Sequence, residues 1–144
     1  MNKKKALEEL KKYLTEYYNY GFIFHTRFIE ELSSLLKSVQ GHEAELFNLL
    51  AKQLSFVKDL GTQAHTADSN EHLKYKSKQL YTSLHLSSKN FNIRFIMTFD
   101  NDLQPVFLLA FYERSGKSST DYSKYEEPAK KRFRELYVEG EYNE

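Results

Sequence analysis

The sequence predicts an α+β fold, because the spacing of its hydrophobic residues changes part-way along the chain. Apolar residues recur every three or four positions over residues 3–60, which is typical of amphipathic helices. Over residues 80–112 they alternate with polar residues, which is typical of strands, and a helical pattern returns after Pro128. We therefore expect a small antiparallel sheet, a meander of three or four strands, with N-terminal helices packed on one face and a C-terminal helix.

Three helices are predicted before the sheet. The first covers residues 3–19 and is interrupted by Gly21, and residues 22–24 then form either a short strand or the lead into the second helix. The second helix ends at Gly41 and the third at Gly61, after which residues 62–71 are polar and irregular, as in a loop. The apolar stripes of the helices consist of Leu7, Leu10, Leu14, Tyr17 and Tyr18; of Phe28, Ile29, Leu32, Leu35, Leu36 and Val39; and of Ala44, Phe47, Leu50, Leu54, Val57 and Leu60.

The register of the first two strands is predicted from their apolar faces. Pairing Leu86 with Phe91 makes these faces coincide, and it places Ser83 opposite Arg94 on the other face. The third strand is apolar on both faces, as a central strand would be. The strands are predicted over residues 80–86, 91–99 and 105–112, and the final helix runs from Pro128 to Tyr137.

Basic residues concentrate in the middle of a chain whose net charge is only +1. Residues 73–94 carry five basic side chains and no acidic one, a second basic cluster lies at residues 130–134, and glutamates recur in the last ten residues. This distribution predicts either a positive face suited to a nucleic acid, or a solvated rim of mixed charge. The five basic residues of the middle segment are Lys74, Lys76, Lys78, Lys89 and Arg94.

Composition and motif spacing exclude several classes of function. The chain has no cysteine, which excludes a disulfide scaffold, a thiolate zinc site and a cysteine nucleophile. Residues 115–118 read Ser-Gly-Lys-Ser, but Phe111 occupies the position where a phosphate-binding loop needs its first glycine. The five histidines show no HExxH spacing, and there is no Gly-x-Ser-x-Gly elbow. We therefore expect no cofactor and no metal.

No segment of the sequence predicts a membrane association. The longest apolar run, residues 106–112, is far shorter than the roughly 20 residues that a helix needs to span a bilayer. The basic start is followed by mixed charges and not by the apolar region of a signal peptide. We therefore expect a cytoplasmic protein.

An ordered set of segments then indicates a family. The set comprises residues 80–86, 91–96 and 106–111, followed by Lys117, residues 121–122 and residues 129–132. It resembles the RelE/ParE superfamily, in particular the HigB-like, phage-type toxins of bacterial type II toxin–antitoxin modules. Two departures stand out: Ser83-Leu84-His85 replaces a typical Glu-Leu-Arg, and Glu113-Arg114 replaces paired lysines. The likeness is best over residues 73–134, and residues 1–20 look like a helical N-terminal extension of a single RelE-like toxin domain over residues 1–144.

The resemblance implies both a fold and a set of partners. The sheet would carry helices on one face and a basic concave surface on the other. RelE-like members cleave mRNA, usually on the ribosome, whereas ParE-like members act on DNA gyrase, and an antitoxin silences both. The expected partners are therefore mRNA, the ribosome and a cognate antitoxin, which we expect to be a helix-turn-helix protein. The first helix should pack on the body through Leu7, Leu10 and Leu14, or form a homodimer contact.

The candidate site residues follow from the same resemblance. Metal-free RNA cleavage needs a base for the 2′-hydroxyl, charge stabilisation of the phosphorane, and an acid or cation for the 5′-oxygen. Arg94 suits a phosphate, although a salt bridge to Asp121 or Glu113 is an equal alternative. His85 shares its face and suits a general base. The catalytic candidates are Arg94, Arg114, Tyr122 and His85, and the RNA-binding candidates are Lys74, Lys76, Lys78, Lys117 and Tyr125.

Two functions of different classes remain open from the sequence. One is a ribosome-dependent mRNA endoribonuclease toxin that inhibits translation and growth. The other is a ParE-like or phage-adapted protein of the same fold, which acts by protein–protein contact, for example on gyrase, without nuclease activity. The feature that separates them is whether Arg94, Arg114 and a tyrosine converge on one surface.

Overall fold

Within the part of the chain that the structure describes, the fold consists of four α-helices and five strands. The structure is a computed structural model that describes residues 2–66, 71–73, 75, 78–113 and 122–137, without the side chains of residues 65, 66 and 72. The helices are α1 (Lys3–Asn19), α2 (Thr26–Ser38), α3 (Glu43–Leu60) and α4 (Glu126–Glu135). The strands are β1 (Ile23–Phe24), β2 (Glu71–Leu73), β3 (Tyr81–Ser87), β4 (Asn92–Phe99) and β5 (Pro105–Tyr112). The 3₁₀ helices Gly61–Thr66 and Tyr122–Tyr125 precede β2 and α4.

The strands form one mixed sheet in the order β1-β5-β4-β3-β2. β2 through β5 pair antiparallel, and β1 pairs with β5 in parallel. The predicted α+β class and the predicted meander are therefore confirmed, and residues 22–24 supply a short strand. β2 begins at Glu71, the last residue of the predicted loop. The sequence does not predict this strand, because three residues are too few to show an alternation.

The predicted register of β3 and β4 is wrong by two residues. Leu86 pairs with Ile93 and not with Phe91, and Leu84 pairs with Phe95. The connection keeps its predicted length of four residues but begins one residue later: the ladder ends at the Ser87–Asn92 pair, and a backbone hydrogen bond from Ser88 to Phe91 closes the turn. A slip of two residues leaves every side chain on its predicted face, because side chains along a strand alternate with period two.

The two faces of the sheet carry separate cores. One face packs against α1, α2 and α3, with Phe91, Ile93 and Phe95 all buried, as predicted. The opposite face packs against α4. This second core consists of Leu73, Tyr81, Ile96, Val106, Leu108, Leu109, Ala129 and Phe133. Helix α4 therefore covers part of the second face, and only the part of that face outside the second core is available for a site.

Helix α1 packs on the body through part of its predicted stripe. Its start is capped by Asn2, whose side chain accepts a hydrogen bond from the Lys5 amide at 2.8 Å. Leu10 and Leu14 are buried, which confirms the predicted packing for these two residues. Leu7, by contrast, is 37% exposed, so the described part of the chain covers it only in part.

A bulge interrupts the pairing of β4 with β5. Ile96 pairs with Leu109 and Met97 pairs with Phe107, so Leu108 has no cross-strand partner in the register. The extra residue of a bulge leaves backbone groups outside the regular ladder. The Leu108 carbonyl consequently needs another donor, because an unpaired buried carbonyl destabilises the fold.

An ion pair between α2 and α4 supplies that donor. Arg132 donates from Nη1 to the Leu108 carbonyl at 2.7 Å, and the Glu31 carboxylate accepts from the Ala110 amide at 3.0 Å. The Arg132 guanidinium and the Glu31 carboxylate also make two parallel hydrogen bonds, of 2.8 and 2.9 Å. The pair therefore covers the edge of β5 beyond β1 and ties the two helices together across that edge.

Replacement of Gly21 by alanine should lower the free energy of unfolding by about 1–3 kcal/mol. Gly21 has a φ of +100°, and an added Cβ would lie 3.3 Å from the Gln104 side-chain nitrogen. Gly41→Ala is the matched control, because Gly41 has a φ of +91° but open space around it. Urea denaturation of both variants measures the difference, and equal losses would show that contact with Gln104 contributes nothing.

Candidate active site

A polar cluster lies on the sheet face that points away from α1, α2 and α3. His85 on β3 and Arg94 on β4 are direct cross-strand partners, so their side chains share this face. Glu113, the first residue after β5, joins them from the neighbouring strand, and its amide donates to the Asn92 carbonyl at 2.7 Å. Tyr122 reaches the same face from the 3₁₀ helix before α4. Antiparallel pairing thus brings together residues that are widely separated in sequence.

Arg94 is buried and paired with two carboxylates. It is 6% exposed; its Nε lies 3.2 Å from Glu113 Oε1, and its Nη2 lies 3.2 Å from Glu71 Oε1. The side chain of Glu113 is 14% exposed, whereas that of Glu71 is 48% exposed. The two contacts therefore differ in kind: Glu113 is a fixed partner in the interior, and Glu71 covers the guanidinium from the solvent side.

One oxygen of Glu113 organises the cluster. Besides the Arg94 contact, Oε1 accepts a hydrogen bond from the Asn92 side-chain nitrogen Nδ2 at 3.3 Å, and it lies 3.7 Å from His85 Nε2. His85 Nε2 also donates a hydrogen bond to the Asn92 side-chain oxygen, which leaves Nδ1 as the ring nitrogen that can accept a proton. A histidine held next to a carboxylate can take up a proton and keep the resulting imidazolium stable. This arrangement gives the cluster a proton acceptor beside a fixed cation.

Tyr122 adds a proton donor to the cluster. Its hydroxyl is hydrogen-bonded to Ser83 at 3.0 Å, and its carbonyl accepts from the Tyr75 hydroxyl at 2.6 Å. Burial raises the pKa of the Tyr122 phenol, and the Ser83 hydrogen bond and the Arg94 charge oppose this shift in part. The hydroxyl therefore keeps its proton throughout the neutral range.

Of the other predicted site residues, Tyr125 and Lys78 belong to the described part of the chain and the rest do not. Tyr125 stacks on Phe111 with ring centroids 4.0 Å apart, and Tyr122 packs against another part of that ring at 6.4 Å. Lys78 is exposed. The predicted residues Arg114, Lys74, Lys76 and Lys117 lie outside the described residues. The structure thus brings His85, Arg94 and Tyr122 together. Tyr125 does not join them, since its ring stacks on Phe111.

A polar cavity of about 200 Å³ opens beside His85. His85 and Asn92 form its inner wall, and Tyr112, which is 45% exposed, contributes an aromatic ring at its rim. Lys89 supplies a positive charge on the turn between β3 and β4. The cavity is therefore a solvent-accessible approach to His85 with a cation and an aromatic side chain at hand.

Sequence reasoning missed most of the acidic and amide members of this cluster. The sequence predicts Glu113 as a salt-bridge partner of Arg94 and as part of the pair that replaces two lysines of the family, and it does not predict Glu71 or Asn92 as site residues. Asn92 had a usable signal, since it lies two positions before Arg94 in the same strand and so shares its face. Glu71 had none, because it reaches Arg94 only through the pairing of β2 with β3.

The basic concave surface implied by the resemblance differs from what the described residues show. The charge of Arg94 is balanced by Glu71 and Glu113, and in α4 Lys130 pairs with Glu126 at 2.8 Å. Arg132, from the same basic cluster, is engaged by Glu31. The basic residues of α4 thus receive acidic partners, one from the same helix and one from α2, and the cluster around His85 is mixed in charge.

Comparisons with protein-family models, with curated proteins and with solved structures find no match to this chain. Among the described residues, no helix combines the length and the apolar character needed to cross a bilayer. The same part of the chain contains no group of three or more histidine and carboxylate side chains placed to hold a metal ion.

Proposed function

We propose that this protein is a metal-independent endoribonuclease of the RelE-like kind, which cleaves mRNA on the ribosome as the toxin of a toxin–antitoxin pair. The observation that supports the proposal is the convergence of His85, Arg94, Glu113 and Tyr122 on one face of the sheet. These side chains supply the proton acceptor, the cation and the proton donor that transesterification of a phosphodiester requires.

In this mechanism, His85 accepts the proton of the ribose 2′-hydroxyl as the 2′-oxygen attacks phosphorus. Arg94 stabilises the negative charge of the phosphorane. The bond from phosphorus to the 5′-oxygen breaks, and Tyr122 donates its proton to that oxygen. The products are a 2′,3′-cyclic phosphate and a 5′-hydroxyl. Glu113 stays in place and stabilises the imidazolium that forms on His85.

Substrate access to Arg94 requires a change of partner. A phosphate would replace Glu71, which is half exposed, while Glu113 keeps its contact with Nε. Arginine accommodates this exchange because its planar guanidinium can bind two anionic groups along different edges. A base of the same nucleotide would then stack on Tyr112 at the rim of the cavity beside His85.

The alternative is the same fold acting by protein contact, without nuclease chemistry. The burial of Arg94 between two carboxylates favours it, because a structural arginine has the same surroundings. In either case we expect an antitoxin to cover the cluster, and an acidic segment of that partner would compete with Glu71 for Arg94.

The test is inducible expression followed by mapping of mRNA 5′ ends, with wild type, Arg94→Lys and Lys78→Ala compared. Arg94→Lys keeps the positive charge between the carboxylates but loses the planar fork, so cleavage should fall by about 10²–10³-fold. Lys78→Ala should lower cleavage only mildly and in a salt-dependent way, because Lys78 is exposed and offers one phosphate contact among several. New ends should carry a 5′-hydroxyl.

Two results would contradict the nuclease proposal. A folded Arg94→Lys protein with undiminished cleavage would remove Arg94 from the mechanism. Growth inhibition by the wild type without new mRNA ends would point to the protein-contact alternative, and gyrase supercoiling assays would then follow. Circular dichroism of both variants controls for folding.

A further inference from the structure

An apolar groove runs along α1 on the side of the molecule opposite the His85 cluster. It has a volume of about 590 Å³, and its walls come from α1, α2 and β1. A second, smaller cavity of about 330 Å³ continues it towards the start of α1 and the end of α2. The main groove is lined by Leu7, Leu10, Leu14, Tyr18, Phe24 and Ile29.

Several large apolar side chains in this groove face solvent. Leu7 is 37% exposed, Ile29 is 36% exposed and Tyr18 is 66% exposed. Leu7 and Ile29 belong to the apolar stripes of two different helices, so the exposure continues across the gap between the helices. A contiguous exposed apolar surface of this kind is typical of an interaction site.

The rim of the groove is positively charged. Four lysines line the groove, the second cavity and a third, neighbouring cavity along α1. They are Lys3, Lys4, Lys11 and Lys37. Within the described part of the chain, none of these four lysines has a carboxylate within 4.0 Å. Two acidic residues also belong to the lining. Glu43 is buried and accepts a hydrogen bond from the Gly41 amide, whereas Glu8 on α1 is exposed, so the rim carries four lysines and one exposed carboxylate.

We infer that this groove binds an amphipathic helix with an acidic polar face, contributed by a partner protein. Its concave, apolar floor between two helices suits the side chains that a helix presents at i, i+3, i+4 and i+7. The lysines on its rim would meet carboxylates on the flanks of that helix. From Lys3 to Tyr18 the groove follows α1 for about 23 Å, which corresponds to about four turns of a bound helix.

The concavity also decides between a helix and a lipid surface. Leu10 and Leu14 form the floor of the groove and are at most 7% exposed, so they do not protrude as a membrane-inserting face would. The groove lies behind the sheet, on the face that carries α1 and α2. A helix bound there would leave the cavity beside His85 open, and it would therefore serve to attach or recruit the protein.

The test uses a fluorescently labelled helical peptide of about 16 residues, with leucines on one face and glutamates on both flanks. A twin peptide with lysines in place of the glutamates is the charge control. Fluorescence anisotropy with the full-length chain should show binding of the acidic peptide at micromolar concentration and much weaker binding of its basic twin.

Protein variants locate the bound peptide. Leu7→Asp and Ile29→Asp should each weaken binding by about ten- to a hundredfold. Phe56→Asp is the matched control, since Phe56 on α3 is 38% exposed but does not line the groove. Lys11→Glu with Lys37→Glu should weaken binding in a salt-dependent way, whereas Lys52→Glu on α3 should not.

Four outcomes would overturn the inference. These are equal binding of both peptides, equal weakening by Phe56→Asp, binding of the chain to phosphatidylglycerol vesicles through Leu7 and Ile29, and a dimer in sedimentation that Ile29→Asp dissociates. The last two would assign the groove to a lipid surface or to a second copy of the chain. Since Arg94→Lys lies on the other face, it should leave peptide binding unchanged, which separates this test from that of the nuclease.

Discussion

Alanine in place of His85 should lower the rate of RNA cleavage by about 10²–10⁴-fold, which is the usual contribution of a positioned general base. The imidazole is the proton acceptor nearest the open cavity, and Glu113 and Asn92 hold it in place. Single-turnover cleavage of a short RNA on ribosomes measures the chemical step. His42→Ala is the matched control, because His42 is an exposed histidine before α3 and does not line the cavity.

The fold should survive this substitution. The His85 side chain is 22% exposed, and Glu113 keeps its contact with Arg94 when the imidazole is removed. Thermal melting should therefore shift little between wild type and His85→Ala. A folded His85→Ala protein that cleaves at the wild-type rate would exclude His85 as the base, and an equal loss in His42→Ala would trace the effect to something other than the cluster.

Glu31→Ala should lower the free energy of unfolding by about 3 kcal/mol, because it leaves Arg132 without its carboxylate. The Arg132 side chain is only 11% exposed, so its charge cannot be fully hydrated in place. The Ala110 amide also loses its acceptor, which adds the cost of an unsatisfied donor. Guanidinium denaturation measures the change, and it should be large against the roughly 5–15 kcal/mol that holds a typical domain together.

The neighbouring glutamate provides the control for this prediction. Glu30 pairs with Arg27 at 3.2 Å, but both side chains are 62% exposed. Glu30→Ala should therefore cost less than about 1 kcal/mol, as exposed ion pairs usually do. Similar losses in Glu30→Ala and Glu31→Ala would mean that the contact between α2 and α4 does not hold the second core in place.

The helices and the three central strands could be predicted from the sequence because their signals are local. The stripe on α3 and the alternation around Phe95 each depend on residues within one element. The register of Leu86 could not be predicted in the same way. A slip of two residues preserves both faces, so the pattern alone cannot distinguish Ile93 from Phe91 as the partner of Leu86.

The candidate site was predictable only where the face of a strand decides it. Arg94 is next to Phe95 and His85 is next to Leu84, so both are predicted on the face opposite the apolar one. The structure brings them together with Tyr122. The burial of Arg94 could not be foreseen. Its two carboxylates come from Glu71 and Glu113, which lie 23 and 19 residues away in sequence. A count of charges along the chain does not include such partners.

The closure of the β5 edge by α4 has a consequence for the newly synthesised chain. Arg132 follows Leu108 by 24 positions, an interval that a ribosome needs about 1–5 s to translate. During that interval the edge of β5 around Leu108 lacks its cover and is open to pairing with another strand. Tyr122 is translated within the same interval. A chain that ends before Tyr122 therefore carries His85 and Arg94 without the Tyr122 hydroxyl, and under the proposed function it would lack the proton donor of the cluster.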